Sequence, residues 1–328
     1  MKLGPRNLIT DVAGIKIGNA EDHDIRTGVT VILPDEPVTA AVDVRGGAPG
    51  TRETSALDPT CLVDAIHAVV LSGGSAYGLD AATAAMEWLS KRGRGFTIGD
   101  AVIPIVPSAI LFDLTNGGDK DWGDSQPYRR LANLAMDAAG EDFSLGSSGA
   151  GLGATAGPIK GGLGSASVID DGGVTVGAVV AVNPFGSVTL PGSPVFWAWP
   201  FEQNNEFGGR GSTGAPDKID MDYSFDIPLA SNTTLAVVAT DLSLSKAQAQ
   251  RVAIMAHDGF ARAIRPVHTP LDGDTVFVMS TGQKPLLNPV ADVARIGMMA
   301  ADVVARSIAR GVYEADSIGD IKSYRSLY

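Results

Sequence analysis

The sequence predicts an α/β fold, on two observations. Short apolar runs rich in β-branched residues recur along the chain, and between them lie long segments whose apolar residues return at helical spacing. The runs 29–33, 39–44, 68–71, 174–182, 235–239 and 275–279 read as strands. Several are continuously apolar rather than alternating, the pattern of a strand covered on both faces. Segments 77–91, 245–264 and 290–308 read as helices. The first carries Leu79, Met86 and Leu89 among many alanines. The second opens on a capping box, Ser245 with Gln248. It keeps Ala249, Val252, Ala253, Ala256 and Phe260 in one stripe and stops before Pro266. The third repeats the pattern with Val293, Ile296, Gly297, Ala300, Val303 and Val304. Stripes of that length need a sheet or another helix over them.

With 328 residues, 45% of them hydrophobic, the chain can bury a sizeable core, as two domains or one large α/β unit. A net charge of −12 with no basic cluster argues against a nucleic-acid partner. The single cysteine, Cys61, excludes an internal disulfide and fits a reducing compartment. The start, MKLGPRNLITDVAG, lacks the apolar core of a signal peptide. No apolar run approaches the roughly 18 residues of a membrane span. The expectation is a cytoplasmic protein with no membrane partner. The 40 glycines are clustered, at Gly46-Gly47, Gly73-Gly74, 149–157 and Gly161-Gly162-Leu163-Gly164. Clusters at strand ends suit positive-φ turns and close approach of backbone to a ligand. Segment 191–228 has little periodicity and reads as a long surface loop.

That segment leads to Ser231-Asn232-Thr233-Thr234, a small polar junction running straight into the strand at 235–239. A cut before Thr233 would put a hydroxyl and a free α-amine on one residue. An α-amine has a pKa of roughly 7.7–8.0 and serves as base to its own hydroxyl at neutral pH. The other reading is a polar turn before a buried strand. Gly151-Leu152-Gly153-Ala154-Thr155-Ala156 fits the dinucleotide pattern in spacing alone. No clear strand precedes it, and Pro158 with Gly161-Gly162 blocks the helix that should follow, so it reads as a glycine loop framing a pocket. Leu71-Ser72-Gly73-Gly74-Ser75-Ala76-Tyr77-Gly78 misses the nucleophile-elbow spacing by one, with Tyr77 where glycine is required. It reads as a tight strand-to-helix turn with Ser75 as cap.

In His268-Thr269-Pro270-Leu271-Asp272-Gly273-Asp274, two carboxylates two residues apart can point the same way from an extended backbone. They would bind a metal with His268, orient an α-ammonium and a nucleophile, or cap a turn. Lys160 is a charge in a glycine turn and by itself reads as solvated. Asn183 ends a long apolar strand, where it either caps a turn or donates to a developing oxyanion, a task worth roughly 2.7–4 kcal/mol. His23, His67 and His257 have no ligand spacing.

Taken in order, Asp43-Val44-Arg45-Gly46-Gly47-Ala48-Pro49-Gly50, the 71–80 turn, Pro104-Ile105-Val106-Pro107-Ser108, Lys160-Gly161-Gly162, Asn183, Asn232-Thr233-Thr234 and Asp272-Gly273-Asp274 form a set. It resembles the family of L-aminopeptidase D-Ala-esterase/amidases, β-peptidyl aminopeptidases and 6-aminohexanoate-oligomer (nylon-oligomer) endohydrolases, over nearly the whole chain. The resemblance implies an αββα sandwich of the N-terminal-nucleophile type, one catalytic domain over 1–328 that cuts itself into 1–232 and 233–328. It implies Thr233 as nucleophile after Asn232, Asp272 and Asp274 at its amine, Asn183 as oxyanion donor and Lys160 as the site lysine. The aspartate pair looks more like the nylon hydrolases than like the aminopeptidases, which pair a serine with a glutamate. Phe112 falls where the nylon hydrolases have a pocket tyrosine, and Tyr77 is a second pocket candidate. No metal or organic cofactor is implied, the substrate is a small-molecule amide or oligomer, and the processed protomers form a homo-tetramer. An acyltransferase of the ornithine acetyltransferase type and a non-enzymatic small-molecule-binding protein are the alternatives.

Overall fold

The computed structural model describes residues 1–212, 214 and 232–328. Part of the 191–228 segment, with Asp217, and the junction residue Ser231 lie outside the described residues. In chain order the strands are β1 (Lys2–Leu3), β2 (Ile15–Asp22), β3 (Thr27–Pro34), β4 (Thr39–Val44), β5 (Thr51–Arg52), β6 (Val69–Ser72), β7 (Phe96–Ile98), β8 (Ala101–Ile103), β9 (Ser108–Ile110), β10 (Thr155–Ala156), β11 (Ile159–Lys160), β12 (Gly162–Ile169), β13 (Thr175–Asn183), β14 (Thr233–Leu242) and β15 (Thr275–Lys284). The α-helices are α1 (Asp80–Ser90), α2 (Tyr128–Asp137), α3 (Lys246–Ala263), α4 (Pro289–Tyr313) and α5 (Tyr324–Leu327).

One sheet has the order β1-β12-β13-β14-β15-β4, the other β2-β3-β6-β9-β5. In the first, every pair is antiparallel except β14 with β15. Side chains alternate between faces along each strand, and this sorts the core into three layers. Ala236 and Val238 of β14 join Val276 and Val278 of β15 against α3 and α4. Leu235, Val237 and Ala239 point the other way and meet Ile32, Val69 and Leu71 of the second sheet. That sheet's outer face, with Val29, Val31 and Val70, is covered by α1 and α2. The architecture is an αββα sandwich. Because each central strand is buried on both faces, it has no polar face for the sequence to display.

The helix α3 carries the capping box that its sequence announces. The Ser245 N–H donates to Gln248 Oε1 at 2.9 Å, and the Gln248 N–H donates to Ser245 Oγ at 3.3 Å. Ser245→Ala is expected to cost about 1 kcal/mol, read as a lowered midpoint in denaturant unfolding. At the other candidate cap, the structure differs. Ser75 makes no capping hydrogen bond and lies in a 3₁₀ turn, Ser75–Leu79, that precedes α1. Gly74 makes the turn instead, at φ +86, and a Cβ there would sit 2.0 Å from Tyr128 Cζ.

One further expectation is corrected and another refined. The glycine-rich stretch 162–165, read as a turn, is the start of β12, and α4 lies directly on that strand. A Cβ on Gly164 would stand 1.8 Å from Ser307 O, and one on Gly162 would stand 2.2 Å from Gly311 O. Small residues replace β-branched ones where a helix backbone must come that close. The described part of 191–228 is an irregular surface segment, as read, but three of its side chains anchor it to the core. Phe196, Ala198 and Phe207 are buried against the helix layer, and Phe196 stacks on Tyr324 at 4.5 Å. Glu206 in the same stretch pairs with the buried Arg306 at 2.6 Å.

Candidate active site

The site forms where three central strands end together. β13 and β14 are antiparallel, and their register sets Asn183 directly opposite Thr233. Both residues are odd-numbered in strands whose odd positions face the second sheet, so both side chains point into the space between the sheets. β14 and β15 are parallel, so the turn that enters β15 lies beside the first residue of β14. Asn232 and Asp272 bridge there in parallel. This is why residues 183, 233 and 272–274, far apart in sequence, converge.

Gly273 sits at the centre of the arrangement. Its N–H donates to Asn232 O at 2.8 Å. The Thr233 hydroxyl donates to the same oxygen at 2.5 Å. A Cβ on residue 273 would lie 2.6 Å from Thr233 Oγ1, so only glycine leaves the hydroxyl its place. Thr233 is buried, with 2% of its surface exposed. The turn is held from outside by the 45–48 stretch. Arg45 N–H donates to Asp274 O at 2.9 Å, and Ala48 N–H donates to Asp272 O at 2.8 Å. A Cβ on Gly46 would lie 2.3 Å from Asp272 O, which explains one of the glycine clusters.

Asp272 and Asp274 are both buried. Asp272 Oδ1 accepts from Phe185 N–H at 3.0 Å, and Oδ2 accepts from Thr269 N–H and Oγ1 at 2.9 and 2.6 Å. Asp274 Oδ1 accepts from Thr234 N–H at 2.8 Å, and Oδ2 accepts from His268 N–H and Nδ1 at 3.1 and 2.8 Å. Burial raises the Asp272 pKa, and the neighbouring Asp274 charge raises it further. All four oxygens thus face hydrogen-bond donors. Among the described residues, no group of three or more His, Cys, Asp and Glu side chains is placed to hold a metal.

Asn183 is held at both ends of its amide. Its Oδ1 accepts from Thr155 N–H at 2.8 Å, and its Nδ2 donates to Phe112 O at 3.2 Å. Those contacts form one wall of a small cavity of about 120 Å³, lined among others by Phe112, Asp113, Asn116, Gly153, Thr155 and Asn232. Gly153 and Thr155 belong to the glycine loop, which does frame a pocket. A 3₁₀ turn precedes that loop and a short strand follows it, with no helix at a phosphate-binding position. Phe112 lies at this cavity. Tyr77 does not: it is 55% exposed and packs edge-on against Trp122 at 5.8 Å.

Lys160 is not a solvated charge. It is fully buried, and its Nζ donates to Gly151 O and Gly161 O at 2.8 Å each. Burial lowers its pKa to about 7, against the opposing pull of Asp113 and Asp316. The folded chain therefore releases this proton earlier than the unfolded chain does. Between about pH 7 and the lysine value of 10.5 the unfolded state binds the extra proton, so this group makes stability rise with pH across that window, and the gain is lost as pH falls. Lys160→Met is expected to remove that rise. Urea midpoints of the two proteins at about pH 7 and about pH 9 read it, and equal slopes would contradict the assignment.

Asp113 is a site residue that sequence reasoning missed. It is buried at the cavity wall, where Thr27 Oγ1 donates to Oδ2 at 2.6 Å and Gly74 N–H donates to Oδ1 at 2.8 Å. Burial pushes its pKa up. Its only sequence signal is its place immediately after Phe112.

The chain matches the model of peptidase family S58 over residues 7–325. It belongs to that family. This S58 peptidase is 42% identical to an uncharacterized aminopeptidase of Mycobacterium tuberculosis (strain ATCC 25618 / H37Rv), over 98% of each chain. It is 28% identical to the 6-aminohexanoate-oligomer endohydrolase of Kocuria sp. (strain KY2), over 85% of this chain and 76% of the relative. Its fold matches the L-aminopeptidase D-Ala-esterase/amidase from Ochrobactrum anthropi with a TM-score of 0.74 at 22% identity, covering 99% of this chain and 93% of that one. That structure is described as a prototype for the serine aminopeptidases and a new variant among the Ntn hydrolase fold. The Burkholderia sp. beta-aminopeptidase matches with a TM-score of 0.73 at 22% identity, covering 99% and 90%. The αββα sandwich of the S58 peptidase is thus the Ntn-hydrolase type. Its reaction class is hydrolysis of C–N amide bonds, which sets aside the non-enzymatic reading. No helix among the described residues is long and apolar enough to cross a membrane.

Proposed function

We propose that this peptidase cuts its own backbone between Asn232 and Thr233 and then works as an N-terminal-threonine amidohydrolase. The observation that supports this most is the Asn232 carbonyl oxygen, which accepts from both the Thr233 hydroxyl, at 2.5 Å, and the Gly273 N–H, at 2.8 Å. The nucleophile is already against the bond to be broken, and a backbone donor already faces the oxygen that becomes negative.

In the self-cut, Thr233 Oγ1 adds to the Asn232 carbonyl carbon and gives up its proton. The C–N bond breaks, the nitrogen takes a proton, and Asn232 is left as an ester on Thr233. Water hydrolyses the ester, leaving a carboxylate on Asn232 and restoring the Thr233 hydroxyl. The freed amine lies at the strand start beside Asp272 and Asp274. In turnover that amine takes the hydroxyl proton, Thr233 attacks a substrate amide, and the leaving amine departs with the proton. Asn183 donates to the substrate oxyanion, and water then releases the acyl group. Lys160, behind the glycine loop, adds its electrostatic field to the same cavity. No step calls for a metal or an organic cofactor.

A cavity of about 120 Å³ suits small acyl groups. The names of the relatives support short peptides, β-peptides or 6-aminohexanoate oligomers as substrates, and the assembly proposed with them is a homo-tetramer of processed protomers. Intact-mass spectrometry of the purified protein tests the core of the reading. Two polypeptides are expected, one ending at Asn232 and one starting at Thr233. Active material with one continuous chain would overturn it.

A further inference from the structure

The acidic pair is held in place by a side chain outside the set assigned above. His268 enters the 268–274 turn in the left-handed region, at φ +54, a conformation that few residues other than glycine adopt without cost. This backbone angle brings two donors of one residue to one oxygen. The His268 N–H and the ring Nδ1 both meet Asp274 Oδ2, at 3.1 and 2.8 Å. A carboxylate only accepts, so Nδ1 is the nitrogen that carries the hydrogen. The other oxygen, Oδ1, takes the N–H of Thr234 at 2.8 Å, one residue beyond the nucleophile. The carboxylate is therefore clamped between His268 and the strand that begins at Thr233.

The ring is itself packed from behind by α3. His257 stands edge-on to it at 4.8 Å and Phe260 lies at 5.8 Å. His257 is fixed in turn through Nε2 to Asp43 O at 3.0 Å. The chain of contacts thus runs from β4 through α3 to His268, and from there to Asp274 and the start of β14.

We propose that His268 is a positioning residue of this peptidase. It fixes the Asp274 carboxylate so that Asp272 and Asp274 together receive the amine freed at Thr233. The inference rests on the self-cut proposed above. Without the ring donor, the carboxylate keeps only one backbone N–H on each oxygen, from Thr234 and His268, and is held less firmly at the strand end. The Thr233 nitrogen then lacks a firmly held partner both when it takes a proton as the backbone bond breaks and when, as a free amine, it takes the hydroxyl proton in turnover.

Two variants separate ring from backbone. His268→Gly keeps the left-handed angle and the backbone N–H but removes the ring. His268→Asn tolerates the angle and keeps a side-chain N–H where Nδ1 stood. The Gly variant is expected to slow self-cutting at least about tenfold, and to lower kcat by a similar factor with KM within about twofold. The Asn variant is expected to recover both rates to within about threefold of wild type. Added imidazole is expected to speed the Gly variant by occupying the space left by the ring. A Gly variant that cuts and turns over like wild type, or an Asn variant as impaired as the Gly one, would overturn the role of His268 while leaving the self-cut standing. A wild-type chain that never cuts would bring down both.

Discussion

Thr233→Ala will run as one chain on a denaturing gel and will hydrolyse no amide substrate. One atom links the two outcomes. Thr233 Oγ1 is the group 2.5 Å from Asn232 O in the intact chain, and its removal leaves nothing to attack that carbonyl. The uncut residue also keeps its nitrogen in a peptide bond, so the base of the second reaction never forms. The loss in kcat is expected on the order of a million-fold, the scale seen when a covalent nucleophile is deleted. Thr233→Ser keeps the hydroxyl and is expected to cut. Its hydroxyl is less confined, because a β-branched side chain in a strand has fewer rotamers than serine has. A slower cut in the serine variant, with the same cut site, is the expected pattern. A cut in the alanine variant would mean that an outside protease does the processing, and the proposed self-cut would fall.

Much of this site is legible as spacing. Asp272 and Asp274 lie two apart, and the turn that enters β15 buries both carboxylates at the end of the strand pair. The capping box at Ser245 and the six-residue strand at Thr39–Val44 also stand as the sequence writes them. Other features depend on neighbours that no local pattern contains. Lys160 looks like a turn charge because three of the next four residues are Gly161, Gly162 and Gly164. Gly162 and Gly164 are in fact there to admit α4, and the lysine is buried with its Nζ against the carbonyls of Gly151 and Gly161. Gly273 looks like an ordinary turn glycine between two aspartates. Its reason is the Thr233 hydroxyl, remote in sequence and in contact only because β14 and β15 pair in parallel. The αββα arrangement itself came from the resemblance. Continuous apolar strands say that both faces are covered, but not that one cover is a second sheet and the other a pair of helices.

Asn183→Ala is expected to separate the two reactions proposed for Thr233. The self-cut acts on the Asn232 carbonyl, whose oxygen already holds the Gly273 N–H at 2.8 Å. In the proposed turnover the substrate carbonyl enters the cavity lined by Phe112 and Thr155, the two residues that Asn183 hydrogen-bonds. Nδ2 of Asn183 carries two N–H bonds, and the one to Phe112 O leaves the second to meet a substrate oxyanion. Removing it is expected to lower kcat by roughly 10²–10³-fold with KM little changed, since the bond strengthens only as charge develops. The self-cut is expected to slow far less, because Gly273 serves that oxygen. Asn183→Asp sharpens the test: it nearly preserves the shape and still accepts from Thr155 N–H, but offers no donor and adds a negative charge beside the oxyanion. It should cut itself and then turn over more slowly than the alanine variant. If both variants lose the self-cut and turnover together, Asn183 serves both carbonyls and the division of labour with Gly273 is wrong. If both keep wild-type kcat, the oxyanion is held by backbone alone, and Asn183 is only the strut between Thr155 and Phe112.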